Sequence, residues 1–157
     1  DETVFHLEGS VDPLRDIEWI CAELLLNDLL FVEKRLERLA KEQAKRSGTD
    51  RTQERALLER LQAHLNENLP LRMLTLEPEE AKLLSGAPLL TRKPLLLILN
   101  VSEDRVQDRA LRETIQQRWS GWHVHAVQVS AKIEEELSQL EDPQERAAFL
   151  KDLGITE

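Results

Sequence analysis

Leu95-Leu96-Leu97-Ile98-Leu99, followed at once by Asn100-Val101-Ser102-Glu103, is the stretch on which the fold turns. The apolar run is continuous and of strand length, and runs of this kind belong to strands buried on both faces, as in parallel sheets covered by helices. Lys93-Pro94 leads into it, and a polar, helix-prone segment follows as far as Trp119, where Ser120-Gly121 breaks it. His123 to Val129 is a second strand, with Val124 and Ala126 alternating, and it ends in Ser130-Ala131-Lys132. Ile133 to Leu140 is helical again, and Pro143 opens a last helix that stops near Gly154. Strand, loop, helix, strand, loop, helix is the rhythm of a doubly wound α/β sheet. In such sheets ligands bind at the carboxyl ends of strands, where Asn100-Val101-Ser102-Glu103 and Ser130-Ala131-Lys132 both fall.

Upstream the chain is helical. Asp12 is placed to cap and Pro13 to occupy the first helical position, where its missing N–H has no partner to lose. No Gly or Pro then intervenes until Gly48. Leu25, Leu29, Val32, Leu36 and Leu39 follow a 4-3-4-3 spacing, a coiled-coil seam flanked by mixed charges. Gly48 suits a helix end, Thr49 or Asp50 a new cap, and Leu57, Leu58, Leu61 and Leu65 mark an antiparallel partner ending near Asn66 to Pro70. The first helix, from Pro13 to about Arg46, spans on the order of 50 Å at ~1.5 Å per residue. Ile17 to Leu26 is apolar on more than one face and is expected to pack against a body. A short helix is expected at Pro78 to Leu84, with Thr75 or Glu77 near its start. The fold class is therefore α/β with a large helical part: an antiparallel coiled-coil hairpin attached to a partial doubly wound domain.

Composition narrows the classes. Among 157 residues, hydrophobic residues are 41% and charged residues 32%, while aromatics reach only 4% and glycine five residues, which disfavours an all-β barrel or sandwich. No apolar run approaches the ~20 residues that cross a bilayer, so no membrane role is expected. Lys+Arg 21 against Asp+Glu 30 give a net charge of −9, which excludes a surface wholly adhesive to nucleic acid. Cys21, the single cysteine, lies in an apolar helical stretch; it reads as a small buried hydrophobe and fits a reducing, cytoplasmic setting. The start, Asp1-Glu2-Thr3-Val4-Phe5, reads as a chain entered midway.

Asn100 and Ser130-Ala131-Lys132 resemble the fourth and fifth motifs of P-loop GTPases, Asn-Lys-x-Asp and Ser-Ala-Lys, with Val101 in place of the Lys and Glu103 in place of the Asp. Gly9-Ser10-Val11-Asp12-Pro13-Leu14-Arg15-Asp16-Ile17-Glu18, Val32-Glu33-Lys34-Arg35-Leu36, Leu90-Thr91-Arg92-Lys93-Pro94 and Ser130-Ala131-Lys132-Ile133-Glu134 resemble, in this order, the YchF / Obg-like ATPase family. The resemblance implies a P-loop domain with a helical insertion, ATP or GTP as ligand, Mg2+ held by parts outside this segment, and association with ribosomes. It implies base binding by Asn100, Val101, Glu103, Ser130, Ala131 and Lys132, with the Ala131 N–H donating to guanine O6. Glu103 is one methylene longer than Asp, so its carboxylate cannot keep the same two-pronged grip on guanine, and adenine lacks the donors that grip serves. On this reading residues 1–12 connect from the nucleotide-binding domain, 13–88 form the helical insertion, and 89–157 are the C-terminal part of that domain.

No Gly-x-x-x-x-Gly-Lys-[Ser/Thr] and no Asp-x-x-Gly switch motif occurs, so no catalytic residue is assigned and the segment is expected to be inactive alone. His123-x-His125 lacks a third ligand at useful spacing and reads as ordinary strand residues. Trp119 and Trp122 read as packing residues, and Glu134-Glu135-Glu136 as a solvated turn complementing a helix dipole. Lys41, Lys45, Arg46 and Arg51 cluster at the hairpin tip, either as a solvated end or as a contact to ribosomal RNA. The competing function is a non-catalytic helical module that binds ribosome or protein partners, with the α/β part as its platform.

Overall fold

A computed structural model describes residues 9–43 and 49–155. Two compact units divide the chain, one of residues 12–94 with 121–123 and the other built on residues 95–120 and 124–155.

The first unit is helical. Helix α1 runs Pro13–Gln43. Its start follows the expected chemistry, for the Asp12 carboxylate accepts from the Arg15 N–H at 3.1 Å and Pro13 costs no hydrogen bond at the first position. Helix α2 covers Thr49–Asn66. Leu25, Val32 and Leu39 of α1 are buried with Leu57, Leu58, Leu61 and Leu65 of α2, and Leu29 and Leu36 pack at the edge of the same cluster. Arg35 pairs with Glu54, and Gln62 donates to Glu33, so the two helices meet running in opposite chain directions. Past α2 the chain reverses at Asn68, whose φ of 58° is a left-handed conformation that Asn tolerates. Helix α3 is Pro78–Leu83, one residue shorter than expected, and Glu77 with Glu80 forms a reciprocal capping box at its start. Gly48, Lys45 and Arg46 lie outside the described residues, as do the side chains of Thr49 and Asp50. Among the described residues, no helix is long and apolar enough to cross a membrane.

The second unit is a βαβ crossover with two further helices. Strands β1 (Leu95–Asn100) and β2 (Val124–Val129) are parallel, in register from Leu95 opposite Val124 to Asn100 opposite Val129. Helix α4 (Ala110–Arg118) connects them, and α5 (Ala131–Gln139) and α6 (Pro143–Asp152) follow. Ile115, Trp119, Val124, Ala126, Ile133 and Leu99 are the buried hydrophobic residues described in this unit. Asp142 caps α6 by accepting from the Gln144 N–H at 2.9 Å, and Gly154 ends it at φ 67°.

Three expectations need correction. Strand β1 is covered on one face only: Leu96 and Ile98 are 56% and 64% exposed, with Val127 beside them. The segment after Glu103 begins as a short turn rather than a helix, because Asp108 accepts from the Ala110 N–H at 3.0 Å and delays the helix start to that point. His123 is not a strand residue; its φ of 50° makes it a turn residue before β2, so it shares no alternating face with His125.

Candidate functional site

The equal register of β1 and β2 brings their carboxyl ends level, and the two loops that leave them are joined crosswise. Asn100 Oδ1 accepts the Ala131 N–H at 3.0 Å. Lys132 Nζ lies 3.0 Å from Glu103 Oε1. The Val101 N–H donates to the Val129 carbonyl at 2.9 Å, extending the ladder one residue beyond the strand. Its N–H is thereby spent, leaving the side chain and carbonyl of Val101 for any ligand.

Ser130 is the anomaly of the group. It is the N-cap residue of α5, a position where a serine hydroxyl ordinarily accepts from the first turn. Here no such bond forms, the residue is only 3% exposed, and its Oγ is buried without a partner. A buried hydroxyl left unsatisfied is costly, and such a group marks a place where something polar belongs. The Glu103 carboxylate beside Lys132 holds its ammonium above the usual lysine value, reinforced by Glu136 and Glu135.

Gln128 supplies a function that reading the sequence missed. Its Nε2 donates to the carbonyls of Arg105, Val106 and Asp108 at 2.9, 3.1 and 2.8 Å, pinning the loop that carries Glu103 against β2. A lone amide on the helix-covered face of an otherwise apolar strand was the available signal.

The remaining candidates are each described on their own element. Lys41 is exposed in the last turn of α1, Arg51 is half-buried in α2, and Lys45 and Arg46 lie outside the described residues. Trp119 is buried, and Trp122 packs against the helical cluster. Cys21 is buried, and desolvation pushes its thiol up, partly opposed by Arg72.

The segment as a whole has well-defined relatives. The ribosome-binding ATPase YchF of Bacillus subtilis is 39% identical over 160 residues, covering all of this chain and 43% of the relative. The Haemophilus influenzae protein of the same name is 32% identical over the whole chain, again 43% of its length. The solved structure of the Schizosaccharomyces pombe YchF GTPase superposes on the entire chain with a TM-score of 0.85 at 29% identity, using 44% of that chain. The chain belongs to the YchF / Obg-like ATPase family. Obg-like ATPase 1 of Schizosaccharomyces pombe is 36% identical over 108 residues. No family model matches the chain. It spans less than half the length of the YchF relatives it matches. Family membership agrees with the order of the sequence blocks, from Gly9-Ser10-Val11-Asp12-Pro13 to Ser130-Ala131-Lys132.

Proposed function

We propose that this chain is the helical arm and the base-recognising part of a ribosome-associated P-loop protein that binds and hydrolyses ATP or GTP at full length. Residues 13–88 are the coiled-coil insertion, 1–12 its connector, and 89–157 the C-terminal part of the nucleotide-binding domain. Asn100, Val101, Glu103, Ser130, Ala131 and Lys132 contact the base. The triphosphate and Mg2+ are held by residues outside this segment. The uncovered face of β1 and β2, with Leu96, Ile98 and Val127 exposed, is apolar surface that the rest of such a domain would cover.

The observation that carries this reading is the buried, unpartnered Ser130 Oγ beside the Asn100–Ala131 bond. A hydroxyl, an amide and a helix N-terminus converge there at the carboxyl ends of two adjacent parallel strands, the place where such folds take ligands. The bond also bears on base choice. Asn100 already satisfies the Ala131 N–H, so a base without the O6 acceptor leaves no donor stranded. That favours tolerance of adenine.

Asn100→Ala in the full-length protein removes the group that spans the two loops. Affinity for both ATP and GTP is expected to fall roughly tenfold, on the scale of one good base-edge pairing. Titration calorimetry with each nucleotide measures it. Unchanged affinity for both, in a variant with wild-type thermal unfolding, would place the base elsewhere.

A further inference from the structure

Guanine offers two donors side by side, its N1–H and its 2-amino group, and a carboxylate meets them with both oxygens; adenine offers neither. In this chain the Glu103 carboxylate is already engaged, by the ammonium of Lys132 at 3.0 Å from Oε1. We infer that Lys132 sets which purine the site accepts, acting as a positioning residue that withholds the Glu103 carboxylate from the guanine edge. The inference rests on the base-site reading above and adds a residue that determines its selectivity.

Three features support it. Lys132 is the second residue of α5 and Glu103 the first of the turn after β1, so the bridge crosses between the two loops that would flank a base. The loop is held from the other side by Gln128 on the carbonyls of Arg105, Val106 and Asp108, which fixes where Glu103 leaves the backbone. Arg105, the nearest cation in that loop, pairs with Asp108, leaving Lys132 as the counter-ion that Glu103 meets. Both side chains are open to solvent, so the bridge biases the carboxylate rather than locking it. The resulting selectivity is graded.

The test compares the full-length wild type with Lys132→Met, Lys132→Arg, Glu103→Gln and the Glu103→Gln/Lys132→Met double variant, titrated calorimetrically with ATP and with GTP. Methionine keeps an unbranched stem of similar length and removes the ammonium. Lys132→Met is expected to raise the GTP:ATP affinity ratio roughly two- to fivefold, the scale of an exposed ion pair. Lys132→Arg keeps the ratio at or below the wild-type value, because a cation still holds Glu103. In the Glu103→Gln background the same Lys132→Met change leaves the ratio unmoved, since no carboxylate remains to be released. A parallel loss of both affinities, with the ratio constant, would make Lys132 a cover for the base alone and overturn the inference. So would an equal shift of the ratio in the Glu103→Gln background. Asn100→Ala, run beside these, separates the two levels: if it binds as wild type the base site itself is wrong, and if it weakens while the Lys132 variants hold their ratio, only the selectivity role falls.

Discussion

Asp28 holds the segment that leads into β1. Its carboxylate is completely buried and accepts from the Leu90 N–H, the Thr91 N–H and the Thr91 hydroxyl at 2.8, 2.8 and 2.7 Å. Thr91 Oγ1 in turn accepts from the Leu71 N–H, and the Thr91 carbonyl from the Arg72 N–H, so one helical carboxylate organises two loops. Asp28→Ala strands three donors in the interior. At roughly 1–3 kcal/mol for each buried group left unsatisfied, the loss is about 3 kcal/mol or more. Asp28→Asn recovers little, because its Nδ2 would face a donor wherever the amide is turned. Urea unfolding followed by circular dichroism gives the number, and a loss below about 1 kcal/mol for the alanine variant would mean that water replaces the carboxylate. The contrast with the proposed base site is instructive. Asn100, Glu103 and Ser130-Ala131-Lys132 stand out in the sequence because each sits in a short local motif at a strand end, and the structure joins the two loops that carry them. Asp28 and Gln128 do not, because their partners lie 62 or 63 and 20 to 23 residues away and no spacing in the sequence records them.

Helix starts and the hairpin seam were the most legible elements, since their causes are local. Pro13, Pro78 and Pro143 each stand at the head of a helix, with Asp12, Glu77 and Asp142 capping. Of the 4-3-4-3 series, Leu25, Val32 and Leu39 are buried against α2 and Leu29 and Leu36 pack at the edge, because that period keeps one stripe of a helix facing its partner. The strand β1 falls where its five-residue apolar run predicts, but the run encodes burial on two faces, whereas in this chain one face is covered. Leu61 tests the seam. It is fully buried among leucines of both helices, so Leu61→Ala removes transfer energy and leaves a cavity. A stability loss of roughly 2–5 kcal/mol is expected, with helix content retained in the folded state. Thermal and urea unfolding of the variant provide the check, and a loss under about 1 kcal/mol would show that the two helices close up around the gap.

The whole chain carries a net charge of −9, and ribosomal RNA is itself densely anionic. Association with a ribosome therefore needs a place where the sign is locally reversed. Lys41, Lys45 and Arg46 lie within six residues of sequence, and Lys41 is exposed in the last turn of α1. Arg51 belongs to the same sequence cluster but is half-buried on α2, so it is the poorer choice for a charge reversal meant to leave the fold alone. If the arm's end is the contact, replacing Lys41, Lys45 and Arg46 by Glu in the full-length protein should weaken co-sedimentation with ribosomes. Thermal unfolding of the same variant separates a lost contact from a lost fold, and surface charges contribute at most ~1 kcal/mol each. The salt dependence carries the decisive information. A cation that neutralises an RNA phosphate frees about one counterion on binding, and the variant frees correspondingly fewer. Its affinity should therefore fall less steeply with salt than the wild type's, and the two proteins should converge as ionic strength rises. Parallel salt curves would assign the weakening to something other than phosphate neutralisation, and equal co-sedimentation at low salt would leave the cluster as a solvated helix end.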